Sequence, residues 1–212
     1  EGLGYTRAAV ARRPMSAGAL IGLANALLTT RRYEQASDIY RTAIELNPAD
    51  AFLHQCLAYV MGKQGQLDEA IAAYRQAIKL DATLADAHNN LGTALKQQGH
   101  IDDAIAAYRQ AIELDDKYSM AHSNLGNAYV AKKEMLDEAI AEYRLAIQLD
   151  SENVDAHYNL GVVLAKQGEF VNAIAEFRTV LDLNPKDARA QSNIDLLITQ
   201  ALLRGIVIPP PK

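Results

Sequence analysis

The chain has 212 residues, half of them apolar and 22% charged, with no tryptophan and a net charge of −5. That balance argues against a nucleic-acid tracker, which needs a concentrated basic stripe; the tight basic clusters are only Arg12 with Arg13 and Arg31 with Arg32. One cysteine, Cys56, allows no intramolecular disulfide, and no run reaches the roughly 18 apolar residues of a membrane span.

We therefore expect a soluble chain without membrane insertion, the cytoplasm slightly favoured. The sequence begins at Glu1, so the lack of a targeting signal leaves the compartment open.

In chain order, the first predicted element is a helix from Tyr5 to Arg13. Ala9 and Pro14 lie thirty-four residues before Ala43 and Pro48, so residues 1–16 read as the second helix of an incomplete leading unit. Five units follow, 17–50, 51–84, 85–118, 119–153 and 154–187, aligned through Leu57, Leu91, Leu125 and Leu160. A period of this length with two helical patterns per unit marks a stacked helical array.

The third unit is the clearest. Ala87, Leu91, Ala94 and Leu95 recur at three- and four-residue steps and predict a first helix, which Gly99 ends with a left-handed cap. Asp102 is placed to cap the second helix, whose expected buried stripe is Ala104, Ile105, Tyr108, Ala111, Ile112 and Leu114. Small residues such as Gly92 and Ala104 let the paired helices approach closely. In-register series run through the other units: Ala36, Ala70, Ala104, Ala139 and Ala173, and Tyr40, Tyr74, Tyr108, Tyr143 and Phe177. Pro48 and Pro185 stop two second helices. The fourth unit carries an extra turn residue within Lys132–Met135 and no glycine there, which predicts the loosest joint.

After the last unit, residues 188–204 read as a first helix without a partner, with Asp195 in the glycine's place as suits a solvent-facing cap. Gly205 ends it, and prolines keep the apolar tail 205–212 extended.

Over residues 17–187 these series resemble the tetratricopeptide repeat (TPR) family. The resemblance implies an all-α, right-handed α-solenoid of helix-turn-helix repeats. The departure is His54, His88, His122 and His157, which stand where the family has a large aromatic. Four histidines in register suggest metal, but equivalent positions in stacked helices lie on the order of 10 Å apart, whereas zinc needs nitrogens near 2 Å. We read them as rings filling the aromatic's place, and expect no metal and no cofactor.

A second ladder is more suggestive. Asn90, Asn124, Asn159 and Asn193 each precede the core Leu or Ile, so each is turned about 100° from it, toward the inner wall. An amide both donates and accepts, as a peptide backbone does. The repeats are also similar to the superhelical TPR region of O-linked N-acetylglucosamine transferases, where an Asn in this place grips peptide backbone. That resemblance implies the same role for Asn90, Asn124 and Asn159, and for Asn193 in the cap helix. Gly22 and Cys56 break the ladder in the first two units. The expected wall neighbours are Asp86, Asn89, Thr93, Met120, Asn127, Asp155 and Tyr158, of mixed polarity.

The carboxylate clamp of TPR co-chaperones is excluded, because its basic places would fall on residues such as Asp86, Met120 and Asp155. Arg41, Arg75, Arg109, Arg144 and Arg178 read as a solvated outer face, with Glu45, Glu113 and Asp182 four residues on as weak partners. Nothing in the sequence activates Cys56, and no nucleophile or phosphate-binding motif appears.

The expected function is a non-catalytic scaffold that binds an extended segment of a protein partner in the concave groove. The alternatives are an assembly module acting through its ends or convex face, and the substrate-presenting arm of a larger enzyme. The tail suggests a plug lying in its own groove, or self-association by lying in a neighbour's.

Overall fold

The computed structural model describes residues 16–132 and 135–209. The expected leading helix, Lys133 and Glu134 of the fourth turn, and the last three tail residues lie outside the described residues. The described residues form eleven helices and no strand, an all-α repeat of the solenoid class.

First helices are α1 (Ala17–Thr29), α3 (Ala51–Lys63), α5 (Ala85–Gln97), α7 (Ser119–Ala131) and α9 (Val154–Lys166). Second helices are α2 (Tyr33–Leu46), α4 (Leu67–Leu80), α6 (Ile101–Leu114), α8 (Leu136–Leu149) and α10 (Phe170–Leu183), and α11 (Ala188–Leu203) closes the series. The chain divides into two compact bodies, residues 1–98 and 99–212. Among the described residues, no helix is long and apolar enough to cross a membrane.

The helix ends follow from local chemistry. Ser16, Asp50, Asn153 and Asp187 accept backbone N–H groups at the starts of α1, α3, α9 and α11. Gly65, Gly99 and Gly168 take φ of 79°, 85° and 82° in the turns between paired helices. In the first repeat Arg31 holds that left-handed place at φ 57°, a conformation unfavourable for a residue with a Cβ.

Asp102 does not cap α6. The helix starts after His100 with no side-chain cap, which leaves Asp102 inside the first turn, where it receives Lys132 Nζ at 2.6 Å. Its negative charge there still complements the helix dipole. Leu114 is also not part of the stripe: it is 38% exposed at the end of α6, while Ala107 is buried.

In each body the core alternates first-helix leucines with second-helix aromatics. Tyr40 and Tyr74 fill the N-terminal body, and Tyr108, Tyr143 and Phe177 the C-terminal one. The close approach has a measurable cause. A Cβ built on Gly126 would lie 2.8 Å from Tyr143, and one on Gly161 would lie 2.9 Å from Phe177. With a Cβ at either position the ring as placed would have to shift. The tyrosine hydroxyls also need acceptors once buried. Tyr40 donates to Asn25 Oδ1 at 2.6 Å and Tyr143 to Asn127 Oδ1 at 2.7 Å. Phe177 has no hydroxyl, and the residue in register with Asn127 is Val162.

The tail turns back at Gly205 (φ 68°), with Ile206 N–H bonded to Ala201 O. Arg178 donates to Pro209 O at 3.0 Å, and an open cleft of about 500 Å³ lies between the tail, Ile198 and Leu202.

Candidate functional site

The asparagine series lies at the boundary between core and solvent. Leu91, Leu125, Leu160 and Ile194 are buried, and Asn90, Asn124, Asn159 and Asn193 beside them are part-exposed. In the N-terminal body, α5 presents Asp86, Asn90 and Thr93 outward. Asn89 does not belong to this wall: it is 1% exposed, with Nδ2 3.4 Å from Asn90 Oδ1. A first helix in a stack has neighbours on several sides, so its buried arc reaches beyond half the circumference. Residue 89 falls on the edge of that arc, beside Ala87, Leu91, Gly92, Ala94 and Leu95.

The C-terminal body brings more of the series together. Asn127 Oδ1 accepts both the Tyr143 hydroxyl and Asn159 Nδ2, the latter at 3.0 Å, so one oxygen links α7, α8 and α9. Asn193 Nδ2 donates to Tyr158 OH at 3.2 Å. Tyr158 stands edge-on to Phe177 and carries the Arg189 guanidinium 4.5 Å above its ring. Asn124 is part-exposed on α7, and Asp155 and Met120 are exposed.

Arg189 escaped the sequence reading, although it stands thirty-four residues after Asp155. Its guanidinium reaches Asp187 at 2.7 Å and, together with backbone N–H groups, holds that carboxyl down at about 2.

The histidines are built into the repeats. Each turns Nε2 toward the carbonyl six residues earlier: His54 to Pro48, His88 to Ala82, His122 to Asp116 and His157 to Ser151, at 3.0, 3.2, 3.4 and 3.2 Å. His122 and His157 are buried and also meet Glu142 and Glu176. Among the described residues, no three His, Cys, Asp or Glu side chains gather to hold a metal. Cys56 stands in the ladder's place in the N-terminal body, and burial pushes its thiol up to about 11, the opposite of activation.

Two arginines leave the expected outer-face pairing. Arg109 donates to Tyr129 OH on the next first helix at 2.8 Å, while Glu113 receives Gln110 instead. Arg178 holds the tail. In both cases a fixed oxygen on a neighbouring element replaces the exposed carboxylate four residues on, whose pairing is worth only a few tenths of a kcal/mol.

Residues 62–99, 92–133 and 131–168 match a family described as TPR repeat. Residues 2–51, 39–72 and 154–187 match families described as tetratricopeptide repeat. No curated protein matches. Among solved structures, the chain is similar to YrrB, described as a TPR protein with an unusual peptide-binding site, at 25% identity over 87% of this chain and 95% of that one, TM-score 0.65. It is similar to MamA at 25% identity over 78% and 96%, TM-score 0.68. The fold alone is shared with PilF of Pseudomonas aeruginosa, at 22% identity over 89% and 91%, TM-score 0.76. Helix pairs in register, glycine turns and these matches lead to one assignment: the chain belongs to the tetratricopeptide repeat family.

Proposed function

We propose that this TPR scaffold binds an extended segment of a partner protein along the first helices of its C-terminal body, through Asn124, Asn159 and Asn193. The carrying observation is that these amides are part-exposed in register, and that two of them are already oriented. Asn159 is held by Asn127 and Asn193 by Tyr158. An amide has two N–H groups and a carbonyl, so one internal bond leaves capacity for a backbone. Pre-orientation lowers the ordering cost of binding.

Apart from the buried His122 and His157, the helices α7, α9 and α11 carry few charged side chains, namely Asp155, Lys166, Arg189 and Asp195. That balance favours a partner segment recognised by backbone bonds and uncharged side chains. Asp155 and Arg189 would set preference at one end. Asn90 would play the same part on α5. The likeness to YrrB, whose description names a peptide-binding site, supports this reading. We read the scaffold as non-catalytic and without a cofactor.

The test is a pull-down from the source organism's lysate with the wild-type protein and an Asn124→Ala, Asn159→Ala, Asn193→Ala variant shown by circular dichroism to be folded. Partners lost only from the variant support the proposal, and partners retained unchanged refute it. A second reading, assembly through the C-terminal end, is favoured by the exposure of Leu203 (83%) and Val207 (86%). Light scattering decides it, because a strict monomer excludes it.

A further inference from the structure

His122 and His157 have an acceptor on both ring nitrogens. Nδ1 of His122 lies 2.7 Å from Glu142 Oε2 of α8, and Nε2 lies 3.4 Å from the Asp116 carbonyl. Nδ1 of His157 lies 2.6 Å from Glu176 Oε2 of α10, and Nε2 lies 3.2 Å from the Ser151 carbonyl. Carbonyls and carboxylates only accept. A neutral imidazole has one N–H, so one ring nitrogen would turn a lone pair toward an oxygen lone pair. The imidazolium has two N–H groups and satisfies both contacts. Little water is available as a substitute, because the two histidine side chains are 8% and 9% exposed.

The carboxylates are additions to the repeat. His54 and His88 keep the carbonyl contact, but the positions in register with Glu142 and Glu176 hold Ala73 and Ala107. The fold therefore does not require a carboxylate there.

We propose that the His122–Glu142 and His157–Glu176 pairs form a proton-operated clamp that stiffens the C-terminal body. When protonated, each ring ties its first helix both to its own second helix and to the loop from the preceding repeat. On losing the proton it keeps one tie, and the joints between α7, α8, α9 and α10 loosen. The charged groups facing His122 are Glu142 from α8 and Asp116 from the loop, and Glu176 from α10 faces His157.

The hydrogen bond to each carboxylate, opposed by burial, holds both rings above the ordinary histidine range. The folded-state value is thus raised. The stabilisation is complete below the unfolded value of about 6.5 and is lost as pH rises through the folded value.

The test combines side-chain nitrogen NMR of the histidines with thermal unfolding from pH 5.5 to 9. It compares the wild type with Glu142→Gln, Glu176→Gln and with Glu142→Ala, Glu176→Ala; the second variant restores the residue found in the other repeats. We expect the His122 and His157 rings to titrate at higher pH in the wild type than in either variant. We also expect the wild-type melting temperature to fall across this range by more than that of either variant. Equal titration midpoints, or equal pH dependence of melting, would overturn the clamp.

Discussion

Alanine at Gly161 sets two terms of opposite sign against each other. A helix interior gains about 1 kcal/mol when glycine becomes alanine. Here the new methyl would lie 2.9 Å from Phe177 Cε1, 3.0 Å from Cζ and 3.2 Å from Cδ1. Carbon atoms in comfortable contact stand about 3.5–4.0 Å apart, so the ring must move by roughly half an ångström. Phe177 is 1% exposed, which leaves it little room. Overpacking of this kind costs about 1–3 kcal/mol, so Gly161→Ala is expected to destabilise by about 1 kcal/mol net.

Gly22, in the interior of α1, provides the control. A Cβ there meets nothing within 4 Å, and Gly22→Ala is expected to stabilise by about 1 kcal/mol. Urea unfolding followed by circular dichroism at 222 nm reads both, with midpoint and slope compared because repeat arrays unfold in parts. In the Gly161→Ala background, Phe177→Leu should cost less than in the wild type, a coupling that direct contact requires. If Gly161→Ala stabilises as Gly22→Ala does, the packing argument for the Leu-Gly pairs is wrong.

Three further outcomes follow from the same contacts. Tyr143→Phe should cost about 1 kcal/mol in urea unfolding by removing the bond to Asn127; adding Asn127→Val, which copies the Phe177 and Val162 pairing, should cost less than the two single changes summed. Arg109→Lys should lower the melting temperature nearly as much as Arg109→Ala, since two guanidinium nitrogens converge on the Tyr129 hydroxyl and a lysine cannot reproduce that fork. Asp187 has its carboxyl depressed to about 2, chiefly by Arg189, so its contribution is present above the ordinary carboxylate value of about 4 and disappears as pH falls through about 2. Asp187→Ala should therefore flatten acid unfolding in that window, as monitored by circular dichroism.

The repeat was legible because its strongest signals are local and recur. The leucine, alanine and tyrosine series place first helices at 51–63, 85–97 and 119–131 with constant length, and Gly65 and Gly99 fall in the turns where a left-handed residue is needed. What the spacing could not supply was the partner of each polar side chain. Asn89 looked like a wall residue because the helical period alone does not show how wide the buried arc of a stacked helix is. Asp102 looked like a cap because the tight turn that puts His100 at the helix start depends on backbone geometry. For Arg109 and Arg178 the spacing points to nearby carboxylates, while the structure gives them oxygens on other elements.

The histidine pairs were legible in principle. Glu142 and Glu176 interrupt a series that otherwise holds Ile39, Ala73 and Ala107, but the signal lies in comparing two series at once. The division into two bodies has no marker in the repeat pattern, which runs through Gln98 and Gly99 unchanged.

The most direct test of the binding proposal is hydrogen–deuterium exchange of the full chain, alone and with a partner recovered by the pull-down. The account predicts new protection on α7, α9 and α11 around Asn124, Asn159 and Asn193, absent when the triple alanine variant replaces the wild type. Protection confined to the second helices α8 and α10, or to the tail beyond Gly205, would contradict it.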